Sequence, residues 1–171
     1  MTAYVALLRA VNVGGRKLLM DDLKAIAVDL EFAAPRTFIA SGNLLFSSHR
    51  SEAQVKSMLE DRLAKHIGAA VPVMVRTAAE LERAVRANPF SAEPGNRVAA
   101  IFLDLAPPTD TIERVRNLEG ERIALGEREV YVDYGEQGMG RSRLRIPAAE
   151  AGTARNMNTV AKLAEMARET S

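Results

Sequence analysis

Apolar and polar positions alternate with two different periods along the first half of the chain, and each change of period predicts a change of secondary structure. The apolar run at residues 4–8 predicts a buried β-strand. After Asp21 and Asp22, whose carboxylates suit the first turn of a helix, apolar side chains recur every three or four positions. The buried face of this helix is predicted to consist of Leu23, Ile26, Ala27 and Leu30.

The next segment predicts a hairpin, a second helix and a fourth strand. Residues 36–40 and 44–47 are short β-type runs, and Ser41-Gly42-Asn43 between them is typical of a hairpin connection. Ser51-x-x-Gln54 is a capping-box pattern, and Gly68 marks the end of the helix that it starts. Its buried residues are predicted to be Val55, Met58, Leu59 and Leu63. With a strand at residues 71–76, the order β-α-β-β-α-β is the ferredoxin-like pattern.

The second half of the chain predicts a similar order. Thr77-x-x-Glu80 begins a connecting helix that ends by Asn88, because Pro89 disfavours helical angles in the residue before it. Residues 98–105 predict a strand buried on both faces, and residues 122–125 and 129–134 pair as a hairpin around Gly126. Two further helices are predicted, one from Asp110-x-x-Glu113 with Ile112, Val115 and Leu118 inward, and one from Thr153 to about Arg168.

We therefore predict an α+β fold of two ferredoxin-like (βαββαβ-type) subdomains in tandem with a C-terminal helix. Residues 1–90 form the N-terminal ferredoxin-like subdomain with its connecting helix, and residues 91–171 form a C-terminal βαββα subdomain. The length of 171 residues suits one domain or two small subdomains.

A glycine loop after the first strand is the first candidate for function. Asn12, Gly14 and Gly15 lie between the strand and the first helix, where exposed backbone N–H groups often hold anions. The spacing is not that of a phosphate loop or a dinucleotide fingerprint, and these residues could serve only to let the chain turn sharply. Right-handed crossovers place this loop and Ser41-Gly42-Asn43 at the same edge of the sheet, with Arg76 and Thr77 at the opposite edge.

Two arginine-containing segments near the C-terminus are further candidates. On a helix starting at Thr153, the spacing i, i+3, i+4, i+7 puts Arg155, Asn158, Thr159 and Lys162 on one stripe, suited either to an anion or to solvent. In an extended loop, Arg141, Arg143 and Arg145 point the same way, as a phosphate-contacting strip or as a charged edge that blocks strand pairing.

Composition narrows the function classes. The chain is 47% hydrophobic and 26% charged with a net charge of +1, which is typical of a soluble globular protein and does not indicate broad nucleic-acid binding. It has no cysteine, which excludes disulfides and thiolate metal sites. Its two histidines, His49 and His66, lack metal or triad spacing. We expect a cytoplasmic protein with no cofactor, no metal and no membrane partner.

Five motifs occur in order along the chain: Leu8-Arg9-Ala10-Val11-Asn12-Val13-Gly14-Gly15, Ile39-Ala40-Ser41-Gly42-Asn43, Val75-Arg76-Thr77, Asn88-Pro89-Phe90 and Thr153-Ala154-Arg155-Asn156-Met157-Asn158-Thr159-Val160. With them the sequence resembles the bacterial family catalogued as domain of unknown function 1697, over nearly its whole length and as one family-level domain. The resemblance implies an α+β fold with ferredoxin-like subdomains and no established activity.

The hallmark positions of that family fall on Arg9, Asn12, Gly14, Gly15, Ser41, Gly42, Asn43, Arg155, Asn156, Thr159 and Lys162. The sequence departs from the family pattern at Met157, where an aromatic residue is frequent, and at Ala40, where glutamine is frequent. The first departure weakens a base-stacking role, and the second removes a polar group beside the hairpin.

The function predicted from the sequence is binding of a small phosphate-bearing or other anionic ligand. The ligand would contact the loop 12–15, the hairpin 41–43 and the N-terminal end of the last helix. The alternatives are a nucleic-acid-binding module, an enzyme that acts on a small anionic substrate by electrostatic positioning, and a structural protein whose motifs only fix loops. Nucleic acid ranks below a small ligand because aromatic residues make up only 5% of the chain.

Overall fold

The computed structural model describes residues 1–9 and 17–170, and these form an α+β fold. Within them lie two four-stranded antiparallel sheets and four α-helices. The strands are β1 Thr2–Leu8, β2 Ala33–Thr37, β3 Asn43–Ser48, β4 Val73–Thr77, β5 Val98–Phe102, β6 Arg122–Leu125, β7 Glu129–Asp133 and β8 Thr153–Asn156. The helices are α1 Met20–Asp29, α2 Glu52–Ile67, α3 Ala78–Arg86 and α4 Met157–Thr170.

The chain divides into two compact units. The first unit contains residues 1–81 and 163–171, and the second unit contains residues 82–162. The division at residue 90 that the sequence suggests stays a prediction. None of the helices in the described residues is both long enough and apolar enough to cross a membrane.

The first sheet has the strand order β2-β3-β1-β4, and the predicted sequence of elements β-α-β-β-α-β is confirmed. Alternate residues of β1, among them Ala6 and Leu8, pack with α1 and α2 in one core cluster. The predicted buried positions of both helices are in this core, with Met58 and Leu30 partly buried at its margin. The strands of the hairpin begin and end a few residues away from the predicted positions.

Helix α2 begins and ends as its sequence predicts. The Ser51 hydroxyl accepts from the Gln54 N–H at 3.3 Å, and the Gln54 side chain accepts from the Ser51 N–H at 3.0 Å, which completes the capping box. Gly68 ends the helix with φ 81°, a left-handed angle that glycine adopts without a steric penalty. Thr77 and Glu80 make the same reciprocal pair at the start of α3.

The second sheet has the order β6-β7-β5-β8, but the predicted helix from Asp110 is wrong. Residues 109–114 form consecutive turns, in which the Thr111 N–H donates to the Pro108 carbonyl at 3.1 Å. Asp110 accepts from the Arg114 guanidinium instead of capping a helix. Asn117 takes a positive φ of 58°, which ends any helical continuation, so the βαββα order predicted for the second half is not present.

The start of the last helix is also corrected. Residues 153–156 form β8, which pairs with β5 so that Ala100 lies opposite Arg155. Helix α4 therefore begins at Met157, and Asn156 rather than Thr153 caps it: the Asn156 Oδ1 accepts from the Thr159 N–H at 2.9 Å. Strand pairing with a buried neighbour outweighed the helical pattern in these four residues.

The loop that contains Arg141, Arg143 and Arg145, called here the arginine loop, is not extended throughout, although its arginines alternate with other residues as in a strand. Gly135–Gln137 and Met139–Arg141 are short 3-10 turns, with a third at Pro147–Ala149. Arg141 therefore does not continue an extended row with Arg143 and Arg145. Arg145 makes an isolated antiparallel bridge with Arg116, through N–H···O bonds of 2.9 Å in both directions.

Candidate functional site

The end of β1 lies against the turn between β2 and β3. The Leu8 N–H donates to the Gly42 carbonyl at 2.9 Å, and Leu7 pairs with Asn43. At the other end of the sheet, Tyr4 pairs with Thr77. Thr77 therefore lies at the opposite edge, as predicted. The end of β1 lies beside the hairpin, but the predicted proximity of the loop 12–15 to Ser41-Gly42-Asn43 stays a prediction. Asn12, Gly14 and Gly15 lie outside the described residues.

The hairpin tip, residues 38–42, is closed by Asn43. The Asn43 carbonyl accepts from the Phe38 N–H at 3.1 Å. Its side-chain Nδ2 donates to the Phe38 carbonyl at 2.9 Å and to the Ser41 hydroxyl at 3.1 Å. Asn43 is fully buried, whereas Ser41 is exposed. Asn43 therefore acts by holding the tip in shape, and Ser41 is presented at its surface.

The backbone of the hairpin tip is strained. Ile39 has φ 52°, a left-handed angle that is unfavourable for a β-branched residue, and its side chain is 48% exposed. Gly42 follows with φ 86°, where glycine avoids the steric cost. Such strain occurs often at binding sites, because surrounding structure must hold a conformation that the residue alone avoids.

Arg9 is the described residue that continues β1 toward the hairpin tip. Its N–H donates to the Pro72 carbonyl at 3.0 Å, which extends the pairing of β1 with the chain before β4. Arg9 is half-buried. Since side chains alternate along a strand, Arg9 lies on the same face as Leu7 and its pair Asn43. Arg9, Ser41, Gly42 and Asn43 are thus brought to one end of the first sheet.

Arg155, in the second unit, lies in a different environment from the one expected. It sits on β8 with only 7% of its surface exposed, not on a helical stripe. Its Nη1 donates to the Thr153 hydroxyl at 2.7 Å and to the Ala154 carbonyl at 2.9 Å. Burial lowers the pKa of Arg155 to about 10, and it stays charged at neutral pH. Arg155 therefore does not share a face with Asn158, Thr159 and Lys162 by helical spacing.

The N-terminus of α4 already has partners within the second unit. The Met157 N–H donates to the Gly95 carbonyl at 3.0 Å, and the Thr159 N–H donates to Asn156. Asn158 lies so close to Gly95 that a Cβ there would collide with its side-chain amide. Thr159 is half-buried and Lys162 is exposed. The first turn of this helix is therefore used in holding the loop before β5.

Sequence reasoning did not identify Glu121, a buried carboxylate of the second unit. Glu121 accepts from the Ser142 hydroxyl and from the Glu119 N–H at 2.6 Å, so it anchors the arginine loop. Burial alone would raise the pKa of Glu121, but these hydrogen bonds outweigh burial and lower it. In the sequence it follows Glu119 and Gly120, a context typical of an exposed acidic turn, which hides its role.

Among residues 1–9 and 17–170, no three histidine, aspartate or glutamate side chains converge in a way that could hold a metal ion. The residues at the hairpin end of the first sheet include Arg9, which carries a guanidinium, and Ser41, which carries a hydroxyl. These groups bind anions through hydrogen bonds and charge.

Comparisons with known proteins agree with this architecture. The model of a family described as "Protein of unknown function (DUF1697)" matches residues 1–131. Among solved structures, the chain is similar to the conserved bacterial protein SP0830 from Streptococcus pneumoniae, with a TM-score of 0.80 and 23% sequence identity, over 98% of this chain and 99% of that chain. At this identity, the similarity shows the fold alone. No curated protein matches the chain.

Proposed function

The chain belongs to this family of proteins of unknown function, and we propose that it binds a small phosphate-bearing or other anionic ligand where β1 meets the hairpin tip. The observation that carries the proposal is the hydrogen bond from the Leu8 N–H to the Gly42 carbonyl. This bond brings the chain that continues into Arg9 alongside the hairpin tip. A cation and a polar turn then share one end of the sheet.

The charge and shape of these groups support an anion. The planar guanidinium of Arg9 matches two oxygens of a phosphate or carboxylate at once. Ser41 adds a hydroxyl at the exposed surface of the tip, and Asn43 fixes the oxygen of that hydroxyl at 3.1 Å. Because Asn43 holds the turn from within, the polar groups need little ordering when a ligand arrives.

The strained backbone at Ile39 supports the same proposal. A left-handed angle at a β-branched residue costs about 1–3 kcal/mol, which the surrounding hydrogen bonds must offset. The hydrogen bonds of Asn43 to Phe38 and Ser41 help to hold the tip in this conformation. We add Asn12, Gly14 and Gly15 to the proposed site as a prediction from the sequence, because loops of that composition supply backbone donors to anions.

The N-terminus of α4 is outside the proposed site. The Met157 N–H and the Thr159 N–H both donate to groups of the protein, so an anion there would have to displace them. Arg155 is buried among strand residues, and we assign it a structural role in β8.

Thermal unfolding in the presence of inorganic pyrophosphate tests the proposal. A ligand present at about a hundred times its Kd adds about 2.7 kcal/mol to the stability of the folded state, which raises the melting temperature. The variant Arg9→Gln should weaken binding by about 1.5–3 kcal/mol, the scale of a hydrogen bond to a charged group.

The matched control for this experiment is Arg50→Gln. Arg50 is an exposed arginine of the same unit that follows β3 at the opposite end of the sheet. Pyrophosphate should stabilise this variant as it does the unmodified protein. Absence of stabilisation in the unmodified protein, or equal loss in both variants, would refute the site.

We also propose that both sheets have ferredoxin-like topology, with the second in a reduced form. The orders β2-β3-β1-β4 and β6-β7-β5-β8 correspond strand for strand, which supports this classification. The connections of the second sheet are turns in place of helices. An experimental structure of residues 82–162 within the full chain, with the strand pairings resolved, tests this assignment.

A further inference from the structure

One face of the second sheet is covered by the loop that connects β7 to β8. Its core cluster joins Val130 and Val132 of β7 to Ile146 and Ala149 of the connection that leads to β8. That connection contains only short 3-10 turns, which cover less of a sheet than a helix does. Part of the sheet face therefore remains accessible beside the loop.

An open cavity of about 270 Å³ lies at this place, entirely within the second unit. Ile101, Leu144 and Ile146 supply apolar walls. Tyr134, Arg145 and Glu150 are also among the residues that line the cavity, and they are its polar members. A cavity slightly below the usual range for ligand sites, with apolar walls and a few polar groups, fits a small molecule.

Tyr134 differs from the other tyrosines of the chain. The hydroxyls of Tyr4 and Tyr131 donate to main-chain carbonyls, of Arg50 at 2.8 Å and Ala84 at 2.6 Å. Tyr134 instead lines the cavity. Burial and the negative charge of Glu121 raise the pKa of the Tyr134 phenol, which is protonated at neutral pH even at its ordinary pKa.

Arg145 supplies the positive charge at the cavity. Its Nη2 is 2.9 Å from the Oε1 of Glu150, and both side chains are more than half exposed. Exposed ion pairs contribute little to stability, so a carboxylate in the cavity could replace Glu150 as the partner of Arg145 at little cost. The loop that carries Arg145 is held in place by the bond from Ser142 to Glu121.

From these observations we propose a second ligand site: the cavity between β5 and the segment 144–149 binds a small carboxylic acid with an apolar body of about one ring. The apolar body contacts Ile101, Leu144 and Ile146. The carboxylate accepts hydrogen bonds from Tyr134 and Arg145. This site shares no residue with the one proposed at the hairpin tip.

Benzoate, titrated into the full-length protein labelled with nitrogen-15, is the probe. Amide signals of residues 101, 134 and 144–146 should shift together and saturate at millimolar concentrations, as expected for a ligand with few atoms. Benzyl alcohol, which keeps the ring but lacks the charge, should bind at least tenfold more weakly. Acetate, which lacks the ring, should cause no saturable shift.

Two variants assign the polar contacts. Tyr134→Phe keeps the ring and removes the donor, and it should weaken benzoate binding about three- to tenfold. Arg145→Gln should weaken it about tenfold or more. The control Arg141→Gln changes an exposed arginine of the same loop that is not part of the cavity wall, and it should bind as the unmodified protein does.

Three results would each overturn the proposal. The first is the absence of saturable shifts with benzoate, and the second is equal affinity for benzoate and benzyl alcohol. The third is unchanged affinity in Tyr134→Phe, whose small change of structure keeps this test valid even if Arg145→Gln alters the loop. Shifts confined to residues outside the cavity would place benzoate elsewhere and count against it as well.

Discussion

In the first sheet, the connections from β1 to β2 and from β3 to β4 are the helices α1 and α2, whereas turns make the corresponding connections of the second sheet. The helices bury their apolar faces against the first sheet. In the second unit, Ile112 and Leu118 are 42% and 51% exposed, although their spacing resembles a buried helical face. The two sheets therefore share a strand order but differ in whether helices or turns cover them. The spacing of apolar residues alone does not say which of the two forms.

The two units agree most closely where the edge strand leads into a helix. Arg76 on β4 lies opposite Val5, and Arg155 on β8 lies opposite Ala100. In each case the guanidinium Nη1 donates to the carbonyl of the residue before it, at 3.1 Å for Arg76 and 2.9 Å for Arg155. The next residue, Thr77 or Asn156, then caps the helix. The repeated unit is thus a sheet with a strand-to-helix junction.

The largest expected effect is a difference in stability between a substitution in α2, which covers the first sheet, and one in the turn segment that follows β5 in the second unit. Leu59→Ala removes a fully buried side chain of α2, and it should destabilise the protein by about 2–5 kcal/mol. Leu118→Ala removes a half-exposed side chain of the turn segment, and it should change stability by less than about 0.5 kcal/mol. Urea unfolding followed by circular dichroism measures both. A comparable cost at Leu118 would mean that the turn segment is packed as a helix would be.

The next effect concerns the carboxylate that anchors the loop over the second sheet. Glu121→Gln should destabilise the protein at neutral pH by about 1.5–3 kcal/mol, because hydrogen bonds to a charged acceptor become neutral ones. Glu121 has a lowered pKa, so its contribution is present above its ordinary value near 4.5 and is lost as the pH falls through the lowered value. Urea unfolding at a series of pH values measures the difference in the free energy of unfolding between Glu121→Gln and the unmodified protein. A difference that persists in strong acid would contradict this role of the Glu121 carboxylate.

A glycine in the segment that leads to β8 predicts a smaller loss of stability. A Cβ at Gly152 would lie 2.6 Å from the Phe102 carbonyl oxygen and 2.7 Å from Leu103 Cδ2, so Gly152→Ala should cost about 1–3 kcal/mol. Gly140 has no heavy atom within 4 Å of such a Cβ, and Gly140→Ala serves as the control. Melting temperatures of the two variants test the difference, and equal values would show that the loop before β8 does not pack closely on β5.

The smallest effect tests the agreement between the two junctions. Thr77→Ala and Asn156→Ala each remove a helix cap and should each cost about 1 kcal/mol. The two values, obtained from urea unfolding, should be similar because the capping bonds are 3.2 Å and 2.9 Å long. A large cost in one variant and none in the other would break the equivalence of the junctions.

The sequence predicted the first unit well because local and long-range signals agree there. The capping box at Ser51 and the glycine at position 68 mark the ends of α2, and its apolar face follows the helical period. Right-handed crossover geometry placed the loop after β1 and the hairpin at one edge of the sheet, and the end of β1 does lie beside the hairpin. These signals are local or follow from general chirality, so they need no knowledge of the packed structure.

The errors in the second unit have a common physical origin. Residues 153–156 have a helix-compatible sequence, and only pairing with β5 makes them a strand. Asp110 and Glu113 look like a capping pattern, but the chain after Pro108 closes turns, and Ile112 and Leu118 stay exposed. Long-range pairing and burial decide both segments, and neither is encoded within a short window. For the candidate site, the sequence identified Ser41 and Gly42 but gave no signal for the strained Ile39.

Residue-resolved titration with inorganic pyrophosphate is the sharpest test of our proposal that the hairpin end of the first sheet binds an anion. In nitrogen-15 spectra of the full-length protein, the amides of Arg9, Ser41 and Gly42 should shift and saturate together, and Arg9→Gln should abolish or strongly weaken the response. Amides at the other end of the sheet, such as Thr77, should not change. Unchanged signals at the hairpin tip, or saturable shifts elsewhere only, would show that pyrophosphate does not bind at this end of the sheet.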